Sequence, residues 1–207
     1  MSELFDIYDE AQNRIGVKAR DAVHRDGDWH QVFHCWVIGR EATGAPFLVL
    51  QKRQAHLDYP NKIDISAAGH LQAGETARDG TRELEEELGL KVAFDELIPL
   101  GRRVGLSRIG DFIDCQICHV YLHECDQPLE DYHYRRDEIA GLVKLRVDNA
   151  MRLFTGEVGC VRAAAAGLDA PEITITRDDF IKSVDNYLMK ILILTRRYFA
   201  GEKELWI

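Results

Sequence analysis

Gly69-His70-Leu71-Gln72-Ala73-Gly74-Glu75-Thr76-Ala77-Arg78-Asp79-Gly80-Thr81-Arg82-Glu83-Leu84-Glu85-Glu86-Glu87-Leu88-Gly89-Leu90 is the stretch that decides how the rest of the chain is read. At ~100° per residue, Ala77, Thr81, Leu84 and Leu88 share one side, while Arg82, Glu83, Glu86 and Glu87 gather on roughly the opposite one. The pattern predicts a helix over Thr76 to Leu88, stopped by Gly89 where a C-terminal cap belongs. Like charges on adjacent turns cost ~0.2–0.5 kcal/mol per i, i+4 pair. A hard divalent cation with oxygen ligands gives such a cluster a purpose, and Mg²⁺ usually pairs protein carboxylates with substrate phosphates. A solvated acidic helix face has the same spacing.

Outward from this segment, strands and helices alternate. Leu4 to Tyr8 and Ile15 to Lys18 read as an N-terminal hairpin around the turn chemistry of Asp9 to Asn13. Val32 to Ile38 and Phe47 to Leu50, β-branched and aromatic, read as paired central strands. Phe112 to Leu122 and Ile139 to Val147 look extended, and Asp148 is expected to cap a helix through Phe154. After a loop over Gly156 to Pro171, Thr176 is expected to cap a long helix with Phe180, Val184, Tyr187, Leu188, Ile191, Leu194 and Tyr198 as its apolar stripe. No repeat or proline-rich linker divides the chain. The expectation is one α/β or α+β domain over 1–207, with an N-terminal hairpin extension (1–28), a central core (29–155) and a C-terminal loop and helix (156–207).

The chain has 207 residues, 46% hydrophobic and 29% charged, which suits a soluble globular domain and excludes a disordered or rod-like chain. Its net charge of −9 argues against a nucleic-acid partner gripped through a broad basic face. No stretch is long and apolar enough to predict a membrane span, and Met1-Ser2-Glu3 does not begin a secretory leader. Five scattered cysteines (Cys35, Cys115, Cys118, Cys125, Cys160) fit a reducing cytoplasm better than a disulfide framework. Much of the acidic excess is local: Glu75 to Glu87 holds Glu75, Asp79, Glu83, Glu85, Glu86 and Glu87 against only Arg78 and Arg82.

Arg82-Glu83-Leu84-Glu85-Glu86-Glu87-Leu88-Gly89-Leu90, with Gly69 and Glu75 ahead of it, resembles the signature of the Nudix hydrolases. Six residues rather than seven separate Glu75 from Arg82, which puts the placement of Glu75 at issue and leaves the metal-bearing half intact. The resemblance implies a mixed sheet sandwiched between helices. It also implies Mg²⁺, with Mn²⁺ able to substitute, held by Glu83, Glu86, Glu87 and the carbonyl of Ala68, with Arg82 orienting the carboxylates. The reaction it implies is hydrolysis of a small-molecule diphosphate, commonly nucleoside-linked. Divalent ions neutralise phosphate oxygens and lower the pKa of water, which then attacks phosphorus in line. Glu86, then Glu138 or Asp137, are the candidates for general base; a plain charged residue at a strand entrance is the blander reading of Glu138.

Arg20-Asp21-Ala22-Val23-His24, His30 to Val37, Gln51-Lys52-Arg53 and Ile65 to His70 further resemble the Nudix branch related to isopentenyl-diphosphate isomerase. Those isomerases place a cysteine just before the position of His70. Here Ala67 and Ala68 stand there, and neither moves a proton, which favours a hydrolase over an isomerase; a nucleotide-binding sensor is a third reading, against which the intact carboxylates speak. Lys52, Arg53 and His70 are candidates for a substrate phosphate, with solvated strand-end bases as the plainer alternative. Cys115 and Cys118, three apart on a strand, point to opposite faces and do not make a zinc site. Arg102, Arg103 and Arg108 are either an entrance guard or merely a soluble loop. A homodimer is the commonest arrangement for an oligomer of this kind.

Overall fold

A computed structural model describes residues 3–207. In chain order the first half has β1 (Leu4–Tyr8), β2 (Arg14–Ala19), α1 (Arg20–Asp26), β3 (Trp29–Arg40), β4 (Pro46–Arg53), β5 (Ile63–Asp64), β6 (Ala67–His70) and α2 (Arg82–Leu88). The second half has β7 (Ile98–Ile109), β8 (Phe112–Glu124), β9 (Ile139–Arg146), α3 (Val147–Thr155), β10 (Val161–Ala166), β11 (Glu172–Ile175) and α4 (Tyr187–Phe199). The strands form one mixed, eleven-stranded sheet that takes members from both termini as well as the centre.

β3 organises it. Along one edge β3 pairs in parallel with β8, from Trp29↔Cys115 to Ile38↔Glu124. Along the other, its C-terminal half pairs antiparallel with β4 and its N-terminal half with β6, so β4 and β6 diverge from a common neighbour. Ser66 fills the fork: its Oγ accepts from Val37 N at 2.7 Å and donates to the carbonyl of Val49. β-strand alternation then gives β3 two apolar faces. Phe33, Cys35 and Val37 meet Leu84 and Leu88 of α2, while Trp36 and Ile38 meet α3 and α4 through Ala150, Leu153, Ile191 and Leu192. A mixed sheet between helices is therefore what the chain forms, and among the described residues no helix is long and apolar enough to cross a membrane.

Several expected elements differ. The Thr76–Leu88 helix is shorter: Asp79 Oδ2 accepts from Thr76 N and Oγ1, a 3₁₀ turn follows over Asp79–Thr81, and the α-helix begins at Arg82. Gly80 lets that turn lie on Phe33, where a Cβ would come within 2.6 Å of its side chain. Gly89 does end α2, at φ 70°. Asp148 is not the cap of α3; it sits in the first turn, where its charge suits the helix N-terminus. The expected Gly156–Pro171 loop contains β10, in which Val161, Ala163 and Ala165 face inward. Thr176 caps only a 3₁₀ turn over Arg177–Asp179. Ile181 N bonds to Ile63 O, so this backbone is committed to β5 instead of a helix. Phe180 is buried there outside any helix, Val184 is exposed, and α4 waits until Tyr187.

Candidate active site

α2 drives its carboxylates into the fork beneath β6. Glu87 Oε2 accepts from Ala68 N at 3.0 Å, and Glu83 lies so close to Gly69 that a Cβ there would overlap it. Both are almost fully buried, while the Glu86 side chain is about half exposed. Burial pushes the Glu83 carboxyl up to about 7, with Glu86 and Glu138 adding to the rise and Arg82 opposing it. Burial also pushes Glu87 well up, helped by Glu83, Glu138 and Asp64 and opposed by the Ala68 N–H. Carboxylates gathered away from water want a cation among them.

Arg82 supplies part of that charge from the side. Its guanidinium bonds Glu83, reaches both oxygens of Glu75 at 3.1 Å, and donates to His70 O at 3.0 Å. Glu75 thus meets Arg82 despite the shortened spacing. Glu138, on the loop entering β9, pairs with Arg135 at 3.0 Å and is close enough to raise both buried glutamates.

On the opposite side of β6 lies a cavity of about 270 Å³, walled by β3, β4 and β5, by β7 and β8, and by the Phe180–Leu188 strap. Arg53 faces it, held by Asp64 at 3.2 Å and by Asp58 O at 2.8 Å; Lys52 is not among its walls. Arg103 also faces it, gripping both oxygens of Asp185 at 2.8 and 2.9 Å and lying 4.2 Å over the Tyr187 ring. Arg102 and Arg108 are not among the walls; Arg108 bonds Gly110 O at the tip of the β7–β8 hairpin.

At one end of the cavity His24 of α1, His30 of β3, His70 of β6 and Asp114 of β8 bring one ligand atom each to within 4.8 Å of one another. His24 Nδ1 is 2.9 Å from Arg20 O and His30 Nδ1 is 3.0 Å from Asp28 O. A carbonyl only accepts, so each Nδ1 carries the proton and each Nε2 lone pair turns inward. Nε2 of all three rings and Asp114 Oδ1 are buried and find no hydrogen-bond partner among the described residues. Phe112 stacks on His24 at 4.2 Å and Phe5 on His70 at 4.8 Å, fixing the rings. Burial holds His24 and His70 below the usual imidazole range, so both are in the form that binds metal. This donor set fits a divalent transition ion better than Mg²⁺.

No protein-family model matches the chain. It is 43% identical over 162 residues to an uncharacterized Nudix hydrolase of Clostridium acetobutylicum, covering 78% of each chain. The chain belongs to the Nudix hydrolase family. It is also 37% identical over 147 residues to Nudix hydrolase 3 of Arabidopsis thaliana, covering 68% of this chain and 19% of that protein. An isopentenyl-diphosphate Delta-isomerase of Clavibacter michiganensis matches at a lower 28% over 131 residues, 62% of this chain and 66% of that one. In fold the chain resembles the Deinococcus radiodurans protein DR0079, with a TM-score of 0.54 at 22% identity, covering 74% of this chain and 90% of that one. It likewise resembles a MutT/nudix family protein of Enterococcus faecalis, at 0.53 and 14%, covering 84% and 65%.

In this Nudix hydrolase the structure brings together Arg82, Glu83, Glu86, Glu87 and the Ala68 backbone, with Glu138 alongside, and sets Arg53 and His70 on the cavity wall. Cys115 and Cys118 are both buried on β8 and join no metal-ligating group among the described residues. Cys35 is buried opposite Ala67, its thiol pushed up by desolvation. Sequence reasoning missed Asp64, and it missed the set of His24, His30 and Asp114. The signal was weak because these residues come from separate elements; a histidine every few residues in 24–34 was its only trace.

Proposed function

We propose that this Nudix hydrolase cleaves a phosphoanhydride bond in a small-molecule diphosphate, nucleoside-linked or closely related, by water attack on phosphorus. The carrying observation is the pair of buried carboxylates, Glu83 and Glu87, side by side against the Ala68–Gly69 backbone, with Arg82 bonded to Glu83 and the Ala68 N–H to Glu87. Their oxygens, with Glu86 and the Ala68 carbonyl, are a donor set suited to Mg²⁺ or Mn²⁺. A divalent ion held there neutralises phosphate oxygens and lowers the pKa of water. The His24, His30, His70 and Asp114 donors suit a second, softer ion at the far end of the cavity.

The chain's own residues do the rest. Arg53, fixed by Asp64 and Asp58 O, offers a rigid donor to a phosphate oxygen. Arg82 keeps Glu83 and Glu75 in register. Glu86, the most exposed of the three signature carboxylates, is the first choice to take a proton from water, and Glu138 the second. An isomerase would need a proton-transfer group where Ala67 and Ala68 stand. The cysteines are all free, which suits the reducing cytoplasm.

A panel of nucleoside diphosphates, nucleotide sugars, dinucleotides and cofactor diphosphates, incubated with Mg²⁺ and scored for phosphate or nucleotide release, tests this reading. Turnover of at least one member, strongly reduced in Glu86→Gln, is expected. Turnover that survives Glu86→Gln unchanged would remove the assigned cation site; tight binding of a panel member without turnover would favour a sensor.

A further inference from the structure

Three polar side chains in the cavity wall, Trp36, Tyr187 and His34, form a hydrogen-bonded chain of their own. Trp36 Nε1 donates to the Tyr187 hydroxyl at 3.0 Å, and His34 Nδ1 lies 3.1 Å from that same oxygen. All three residues are at least nine-tenths buried, at 3%, 5% and 4% exposure for Trp36, Tyr187 and His34. Arg103, stacked on the Tyr187 ring and fixed to Asp185, clamps the phenol in place.

The hydrogen-bond inventory leaves one arrangement. Indole N–H only donates, so the Tyr187 oxygen accepts from Trp36. Were His34 Nδ1 also protonated, the phenol oxygen would face two donors and its own O–H would point at nothing, a buried donor left unsatisfied. The satisfied arrangement has Tyr187 O–H donating to an unprotonated Nδ1, and the imidazole proton then sits on Nε2. Among the described residues Nε2 has no protein partner, yet it is not sealed off as the ring nitrogens of the histidine cluster are, and His34 lines the cavity.

We infer that His34 is a specificity residue: Trp36 and Tyr187 lock its imidazole into offering Nε2–H to an uncharged oxygen or ring nitrogen on the part of the substrate beyond the diphosphate. This rests on the cavity being the substrate site of the proposed hydrolase. It narrows the substrate class. A heteroatom-bearing group such as a sugar or a base satisfies the donor, whereas a plain hydrocarbon leaves it buried and unpaired, the situation in which sites discriminate most strongly. Leu50, Ile63 and Phe180 supply the apolar remainder of the wall.

The test has two parts. The first is nitrogen-15 NMR of histidine-labelled protein. It should show His34 as the Nε2–H tautomer, and in Tyr187→Phe, which keeps the ring and so the fold, His34 should become a mixture of tautomers. An Nδ1–H tautomer in the wild type, or no change in Tyr187→Phe, overturns the lock. The second compares kcat/KM for UDP-glucose, ADP-ribose and n-hexyl diphosphate. His34→Leu should lose about 10–100-fold on the better of the two nucleotide probes, the scale of one buried unpaired polar group, and nothing on n-hexyl diphosphate. Equal losses on both kinds of probe, or a wild-type preference for the hydrocarbon, overturn the specificity role. If the wild type turns over none of the three, the wider panel decides the hydrolase reading by itself, and the tautomer and the binding affinities of the same probes decide the role of His34.

Discussion

The two candidate cation sites flank the same short strand, β6, and are built in opposite ways. The carboxylate site takes Glu83, Glu86 and Glu87 from one helix, so a single stretch of chain carries its geometry and helical spacing alone brings its ligands together. The histidine site takes one residue each from α1, β3, β6 and β8, and it exists only because β3 pairs with β6 and β8 at once. The first can be read from local periodicity. The second is a product of sheet register, and shifting β8 by one residue on β3 would turn Asp114 to the other face.

The contrast is broken most severely by removing a ligand from the helix. Glu87→Gln keeps an oxygen to accept from Ala68 N but halves the charge shared with Glu83, so the fold should persist while Mg²⁺-dependent turnover falls about 10²–10³-fold, the scale of one lost electrostatic stabiliser in a water-poor site. Steady-state kinetics across a Mg²⁺ titration, with circular dichroism as the fold control, checks it; wild-type turnover in the variant would show that the helix is not the cation site.

Removing a ligand from the other site should act on a different metal. His30→Ala leaves the α2 carboxylates untouched, so Mg²⁺ dependence should keep its shape. Retention of Zn²⁺ or Co²⁺ after dialysis, measured by elemental analysis and by the visible spectrum of the Co²⁺-loaded protein, should weaken by about 10–100-fold or more. Equal transition-metal retention in wild type and variant would mean that the four inward-facing donors hold no ion.

The same division governs what was legible in the sequence. The signature segment, the N-terminal hairpin and the β3–β4 pair follow from local pattern, and so does Gly89 as a stop signal. The errors lie where a tertiary partner overrules local preference. Thr76–Leu88 has helical rhythm throughout, yet Gly80 must press on Phe33, and the first turn tightens to 3₁₀. Phe180 and Val184 extend the apolar stripe of α4 on paper, but Ile63 captures the backbone at Ile181 first. β10 is hidden by its alanines, which bury well but carry little strand preference. Of the candidate site, the clustering of the α2 carboxylates was readable; Asp64, the histidine set and the Trp36–Tyr187–His34 chain were not, since each depends on contacts across the sheet.

The smallest effect concerns the strap that walls the cavity, where the comparison between a locally built and an assembled region can be sharpened by acid. Asp185 accepts from Arg103 and from Lys190 at 3.1 Å, and its hydrogen bond with Arg103 above all holds its carboxyl well below the usual range. A carboxyl depressed in the folded state contributes stability that is fully present above its unfolded value, about 3.9, and is lost as pH falls through and below that value. Asp185 keeps some contact with solvent, so screening limits the pair to about 1 kcal/mol, or about 2–4 °C in Tm for a chain of this size. Asp185→Asn should therefore melt a few degrees below wild type at pH 7, with the gap closing as the pH is lowered toward 3. Calorimetry over that range checks both the size and the sign, and a gap that widens in acid would mean the strap is held by something other than this ion pair.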